Sequence, residues 1–361
     1  MKVLLDATVL ERPLDGVGTL TIGLYRACLA IDPDLTVIAV HQCPPRVELP
    51  QEIKTIGMGT KMSGRWWRRL VLPATTATIK PQIVHFPNNG HIPLGIKSRK
   101  VMILHDVFPL ILPGYLESDE AVEKYKMRVQ RDINRCDLLV TVSEISKKDI
   151  MAHFDLKTEP IVIPAGCRYK PSARKPALKP KVNPYFLNTG GYDPERKGLD
   201  VLIPMFIQLH DSGRLSSRLV ITGSRGWSNK MAQVVADGVR RGIIEDTGCV
   251  SDEKMLNLYE NALGLVYPSR YEGFGMPPLE AMTLGCPVIT TRNGSLPEVC
   301  GEAVRYVDLS QTRDFADALV NIENNTTLRH ELQVKGFLQA TKYSWANSAA
   351  TFLSALEKLT S

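Results

Sequence analysis

The sequence has 361 residues, 44% hydrophobic and 23% charged, a balance that excludes a disordered or fibrous chain and favours two globular domains over one. A net charge of +6 and a pI of about 8.8 suit an anionic ligand or surface and do not by themselves call for nucleic acid. No apolar run is long enough to span a bilayer, and the seven cysteines are scattered without a CxxC pair, so a transmembrane protein, a disulfide framework and a zinc site are not expected and a reducing, cytosolic setting follows.

The start, MKVLLDATVLERP, has too short an apolar core for a secretion signal and meets acids at once. It reads as a first strand over Lys2–Leu5. Gly16–Val17–Gly18 then opens a helix that continues to Ile31, and backbone N–H groups of Gly16 and Gly18 can approach a phosphate or an acceptor. Thr21 stands where a dinucleotide-binding pattern would carry its third glycine, which argues against NAD. Asp32–Pro33–Asp34 has the letters of a metal-binding DxD, but it sits between a helix and a strand and reads as a turn.

Further strands are expected at Thr36–His41, Gln82–Phe86, Lys100–His105, Asp137–Val142 and Glu159–Ile163. Helices are expected at Trp66–Ile79, Asp119–Arg135 and Ser143–Phe154. This alternation is the mark of a parallel α/β domain. The segment KMSGRWWRRLVL puts Trp66, Trp67, Leu70 and Val71 on one helical face, flanked by Lys61, Arg65, Arg68 and Arg69. Such a helix can lie on an anionic membrane or pack its tryptophans inward as an ordinary domain helix. His105 ends an apolar run and begins HDVFP. Ligands of open α/β sheets bind at the carboxyl ends of strands, where a histidine can polarise a hydroxyl or steady a developing charge.

Residues 167–184 are rich in Pro and Lys, lack periodicity and read as a solvated linker. The strand–helix pattern restarts beyond them, with strands expected at Tyr185–Thr189, Arg218–Thr222, Thr247–Val250, Ala262–Tyr267, Pro287–Thr290 and Ala303–Val307. The loop GGYDPERKG, residues 190–198, follows the first of these strands. Arg196 and Lys197 lie there as cations for a diphosphate. Arg225, in TGSRGW, is a further phosphate or base-loop candidate. Ser251 caps the next helix, with Val250 just before it. The terminal WANSAATFLSALEKL is an amphipathic helix.

The stretch SRYEGFGMPPLEAMTLGCPVITTRNGSLP, residues 269–297, carries the most chemistry. It follows a buried strand and runs through a glycine loop into a helix that stops at Gly285. Gly273 and Gly275 allow close backbone approach to a ligand. Pro277 and Pro278 suit a helix entry, and the positive end of that helix suits a phosphate. Glu272 in the loop and Glu280 in the first helical turn then face one small volume.

This constellation resembles the glycosyltransferases of family 4, retaining enzymes of the GT-B architecture. The resemblance is strong over the second half and rests on short motifs in the first. It implies an α/β fold of two Rossmann-like domains facing a cleft: residues 1–166 on the acceptor side, a linker over 167–184, a nucleotide-sugar domain over 185–340, and a terminal segment over 341–361. The terminal helix would cross back to the first domain with Trp345 as anchor. It also implies that Glu272 lies against the donor sugar, that Glu280 binds the ribose, that Gly273, Phe274, Gly275 and Met276 border the donor, and that Val250 passes the nucleobase by backbone. His105 would sit near the sugar and the acceptor. The family's loop carries an Arg directly after its first glycine. Here Gly191 stands in that position, and Arg196 beside Lys197 takes over the missing cation. The expected activity is metal-independent, retaining transfer of a hexose from a nucleoside-diphosphate sugar, UDP-glucose before GDP-mannose. The acceptor would be a glycan or lipid-linked glycan, with no further cofactor and no nucleic acid. Alternatives are a non-catalytic sugar-nucleotide binder or a sugar-nucleotide epimerase. The setting is cytoplasmic, with peripheral membrane contact through the Trp66–Trp67 helix as the open question.

Overall fold

The computed structural model describes residues 1–12, 14–59, 63–170, 183–190, 193–223 and 226–361, leaving aside the Arg65 side chain. Lys61, the Arg65 side chain, Gly191, Arg225 and most of the expected linker therefore lie outside what is described. The chain forms two compact units, Met1–Gly166 with Tyr343–Ser361, and Cys167–Lys342.

The first unit holds strands β1 (Lys2–Asp6), β2 (Thr36–His41), β3 (Lys54–Gly57), β4 (Ile83–Phe86), β5 (Arg99–Ile103), β6 (Leu138–Thr141) and β7 (Ile161–Val162). All pair in parallel, in the order β3-β2-β1-β4-β5-β6-β7. The order reverses between β1 and β4, which places a crevice beyond their carboxyl ends. Helices α1 (Gly16–Ile31), α2 (Gly64–Ile79), α3 (Phe108–Ile111), α4 (Asp119–Arg135) and α5 (Glu144–His153) connect the strands. Fully covered strands such as β4, buried at every residue, form the core with Trp67, Leu72, Val129 and Ile133.

The second unit holds β8 (Tyr185–Thr189), β9 (Arg218–Thr222), β10 (Ile244–Gly248), β11 (Gly264–Tyr267), β12 (Val288–Thr290) and β13 (Arg305–Tyr306). Their order is β10-β9-β8-β11-β12-β13, again parallel, reversing between β8 and β11. Its helices are α6 (Leu199–Asp211), α7 (Asn229–Arg240), α8 (Asp252–Asn261), α9 (Met276–Thr283), α10 (Leu296–Cys300), α11 (Thr312–Asn324) and α12 (Thr326–Ala340). Phe186, Phe206, Phe315 and Leu319 are fully buried in its core.

The terminal helix α13 (Trp345–Thr360) belongs to the first unit and packs on α1. Glycine makes this contact possible. A Cβ on Gly23 would fall 2.4 Å from the Trp345 ring, and one on Gly166 would fall 2.5 Å from the Trp345 backbone nitrogen.

Three expectations need correction. Lys54–Gly57 is an edge strand that the sequence reading omitted; it is mostly exposed, so it lacks an apolar signal. Strand β10 starts at Ile244 rather than Thr247, because pairing with β9 sets its register despite Glu245 and Asp246. The tryptophan face is split. Trp67 is fully buried and donates from Nε1 to the Met58 carbonyl at 2.9 Å, whereas Trp66 is 51% and Leu70 53% exposed. A helical step of one residue turns the chain by about 100°, so adjacent tryptophans cannot share one direction.

Candidate active site

In the second unit Arg196, Lys197 and Glu272 meet where the order of the strands reverses. Strand β8 leads into the loop holding Arg196 and Lys197, and β11 leads into Ser269–Gly275. The two loops touch. Gly198 has φ +69°, and a Cβ there would lie 2.1 Å from the Pro268 carbonyl oxygen. The Arg270 N–H donates to the Arg196 carbonyl at 2.7 Å.

Glu272 lies at the centre, 8% exposed. Its Oε1 accepts from Lys197 Nζ at 2.6 Å, Ser269 Oγ at 2.6 Å and Tyr267 Oη at 3.0 Å, with Arg196 at 3.5 Å. Burial pushes this carboxyl up, but Lys197, Arg196 and Ser269 outweigh it and hold the group below the ordinary range. Glu272 is therefore an anion at neutral pH. Behind it, Ser295 donates from its N–H and from Oγ to the Glu272 carbonyl, both at 3.0 Å, and from Oγ to the Phe274 carbonyl at 2.7 Å. Gly294, at φ +57°, admits this approach, since a Cβ would meet the Glu272 backbone at 2.4 Å. The loop after β12 thus fixes the one that carries Glu272.

Glu280 is the fifth residue of α9 rather than part of its first turn, because the helix begins at Met276. It is 4% exposed. Tyr259 Oη donates to its Oε2 at 2.9 Å, and Arg168 Nε lies 2.8 Å from its Oε1. Burial raises this carboxyl, and Arg168 and Tyr259 offset only part of that. The two glutamates thus differ in electrostatics: Glu272 faces two cations and Glu280 one. At the start of α9, Gly275 has φ +101° and provides no side-chain cap. Pro277 and Pro278 carry no N–H, so Met276 supplies the open amide there, and the helix dipole adds to it.

Residues 183–325 match the family described as glycosyl transferases group 1. The O-antigen chain mannosyltransferase B of Escherichia coli is 28% identical over 386 residues, covering 99% of this chain and 100% of that one. Among solved structures, sucrose-phosphate synthase of Thermosynechococcus elongatus aligns at TM-score 0.78, with 18% identity over 99% of this chain and 98% of that one. WaaG, a glycosyltransferase involved in lipopolysaccharide biosynthesis, aligns at TM-score 0.75, with 17% identity over the full length of both. The fold is that of a GT-B glycosyltransferase.

Against this glycosyltransferase fold, the expected site residues divide. Arg196, Lys197, Glu272, Gly273, Phe274, Gly275, Met276 and Glu280 come together around β8, β11 and the start of α9. Val250 sits before Ser251, whose Oγ accepts from the Lys254 N–H at 3.3 Å and caps α8. Gly16 and Gly18 lie in the first unit, at the start of α1. The Gly18 N–H is not open to a ligand as expected, because it donates to Asp15 Oδ1 at 2.9 Å; Gly16 has open space around it.

His105 follows β5 in the first unit. Its backbone N–H donates to Asn89 Oδ1 at 2.8 Å, and its Nε2 lies 2.9 Å from the Pro87 carbonyl. A carbonyl only accepts, so Nε2 carries the proton and Nδ1 presents a lone pair. Burial lowers its pKa, against opposing effects of Pro87 and Asp15, and keeps the ring neutral at pH 7.

Sequence reading missed Arg168, Tyr259, Tyr267 and Ser269. Arg168 was hidden in a basic stretch read as linker. It also reaches Asp252 at 3.0 Å. Tyr267 gave a signal as the polar end of an apolar run, and its hydroxyl meets both Lys197 and Glu272.

Proposed function

We propose that this chain is a retaining hexosyltransferase of surface-polysaccharide synthesis. In this reading it moves a hexose from a nucleoside-diphosphate sugar to a hydroxyl of a glycan or lipid-linked glycan. The observation that carries the reading is Glu272 held beside Lys197 and Arg196 at the sheet's reversal point, with Glu280 deeper in α9. Glu272 orients the donor sugar. Glu280 accepts from the ribose. Arg196, Lys197 and the start of α9 stabilise the charge that grows on the leaving diphosphate. Gly273, Phe274, Gly275 and Met276 border the donor, and Val250 passes the base. Gly191 is assigned to the donor in the same reading, and Arg225 to its phosphate or its base.

Transfer proceeds on one face of the sugar, and the leaving phosphate takes the acceptor proton as the new bond forms. His105, neutral with Nδ1 open, receives or steadies a sugar hydroxyl. Cationic side chains do the work that a divalent metal does in other transferases, so activity in EDTA should equal activity with magnesium. Loss in EDTA and restoration by manganese would contradict that. The likeness to a mannosyltransferase along the whole chain shifts the preferred donor from UDP-glucose to GDP-mannose.

The reading is tested by incubating the protein with GDP-mannose or UDP-glucose and a lipid-linked glycan extract. Release of nucleoside diphosphate that depends on the extract, with retained anomeric configuration in the product, is expected. Binding of the donor without release would favour a non-catalytic sugar-nucleotide binder.

Among the described residues no helix is long and apolar enough to cross a membrane. Peripheral contact is a separate proposal. It rests on exposed Trp66 and Leu70, one turn apart on α2, with Arg69 stacked 5.4 Å from the Trp66 ring centre. Anionic vesicles should pellet the wild type and not Trp66→Ala/Leu70→Ala; equal pelleting would contradict it.

A further inference from the structure

The first unit contains a cavity of about 490 Å³ that the transfer reading leaves unassigned. It opens past the carboxyl ends of β1 and β2, beside the start of α2. Three separate chain segments supply its walls: Thr8 and Arg12 after β1, Gln42 and Arg46 after β2, and Gly64 and Arg68 of α2. We propose that this cavity binds a phosphoryl group, and that the group belongs to the acceptor; the second half of that statement rests on the transfer reading.

The argument begins with Arg68. Its Nε lies 3.0 Å from Asp6 Oδ2, and one of its terminal nitrogens donates to the Thr8 hydroxyl. These contacts fix the plane of the guanidinium fork. The other terminal nitrogen has no partner among the described residues. Arg12 and Arg46 are exposed, and neither guanidinium has a partner among the described residues. The backbone nevertheless holds Arg46 in place, through its N–H to the Leu10 carbonyl at 2.8 Å. Glu11 also lines the cavity. Its Oε1 accepts from the Gln42 N–H at 2.6 Å and so ties the two loops together.

Three guanidinium groups border one hollow and repel one another; Asp6, paired with Arg68, and Glu11 are the two carboxylates beside them and leave an excess of one positive charge. Three scattered surface arginines would avoid that cost. A doubly charged group with three acceptor oxygens removes it, and planar guanidinium forks match such a group in geometry. Helix α2 adds to the same field. Its N-cap residue, Ser63, makes no side-chain cap, and Gly64 at its first turn borders the cavity. The walls belong to the first unit, whereas Lys197 and Arg196 belong to the second.

Isothermal titration of the full-length protein with inorganic pyrophosphate tests the proposal. Wild type should show two sites. Arg12→Gln/Arg46→Gln should lose one, with affinity there falling at least tenfold, and Lys197→Ala should lose the other. Both arginines are exposed, and circular dichroism verifies that the double variant folds. Two sites retained in Arg12→Gln/Arg46→Gln would overturn the proposal. So would a single wild-type site that only Lys197→Ala removes, and the donor-site reading would then stand. A single site removed only by Arg12→Gln/Arg46→Gln would uphold the cavity and overturn the donor-site reading instead. Geranyl diphosphate should compete at the Arg12–Arg46 site while geraniol does not; competition by geraniol as well would show that the cavity reads an apolar chain and not a phosphoryl group.

Discussion

Lys197 Nζ lies 2.6 Å from Glu272 Oε1, and this contact joins the loop after β8 to the loop after β11. Each side chain is only 11% exposed. Buried pairs of this kind are costly to desolvate and expensive to break on one side alone. The pair therefore pre-sets a cation and an anion a few ångströms apart before any ligand arrives, which suits a donor that is anionic at one end and neutral at the other.

Lys197→Ala should weaken nucleoside-diphosphate binding by about 1.5–3 kcal/mol, as expected for one charged hydrogen bond. Transfer should fall with it. Arg196→Ala should act the same way, more mildly, since its contact with Glu272 is longer at 3.5 Å. Titration calorimetry and steady-state rates check both, and wild-type affinity in both variants would move the diphosphate site elsewhere.

Glu280→Ala should lower affinity for the free nucleoside diphosphate, whereas Glu272→Ala should chiefly lower turnover. Arg168→Ala should follow Glu280→Ala in direction. It leaves the buried Glu280 carboxyl without its cation, and this raises that group's pKa further. The decisive comparison is nucleotide affinity against pH. In Arg168→Ala it should fall at higher pH than in wild type as acid is added.

The Glu272 and Glu280 loop was legible because its spacing, glycines and prolines lie in one continuous stretch. The strands that frame it were legible for a similar reason: β8 and β9 are short, apolar and bounded by breakers, and their observed limits match the expectation. Glu280's depth was not legible, because one turn of helix register depends on where Gly275 adopts positive φ. Arg168 was not legible either. A lone arginine among prolines and lysines has no local pattern, and only tertiary folding brings it to Glu280. Strand β3 was missed because an exposed edge strand needs no apolar alternation.

His105→Ala should reduce transfer by roughly a hundredfold, within the usual range for a positioned acid–base group. Nucleoside-diphosphate affinity should stay within about twofold, since a change at one site leaves an independent site nearly unchanged. The wild-type rate should be level through neutral pH. It should fall in acid below the ordinary histidine range, where the lowered pKa lets Nδ1 take up a proton. An unchanged rate in the variant would make His105 purely structural.

His85 gives a pH signature to the first unit. It is fully buried, its Nδ1 is 2.7 Å from Tyr25 Oη, and it packs beside Phe352 of α13 at 5.2 Å between ring centres. Burial, then the nearby His105, lowers its pKa to about 3. A histidine held neutral in the fold but free to protonate when unfolded stabilises the fold above pH 6.5, and that stability is lost as pH falls from 6.5 towards 3. The loss between pH 6.5 and 5 should be about 2 kcal/mol. Urea unfolding of wild type and His85→Gln at the two pH values reads this term as the difference between their slopes. Parallel slopes would contradict it.

The most direct test of the donor site is titration of GDP-mannose, UDP-glucose and the two free diphosphates into wild type, Lys197→Ala and Glu280→Ala. Wild type should bind at least one nucleotide, GDP-mannose by preference, and both variants should lose at least tenfold in affinity for it. Binding that neither variant alters, or no binding of any of the four ligands by folded wild-type protein, would contradict the assignment of Lys197, Glu272 and Glu280 to a nucleotide sugar.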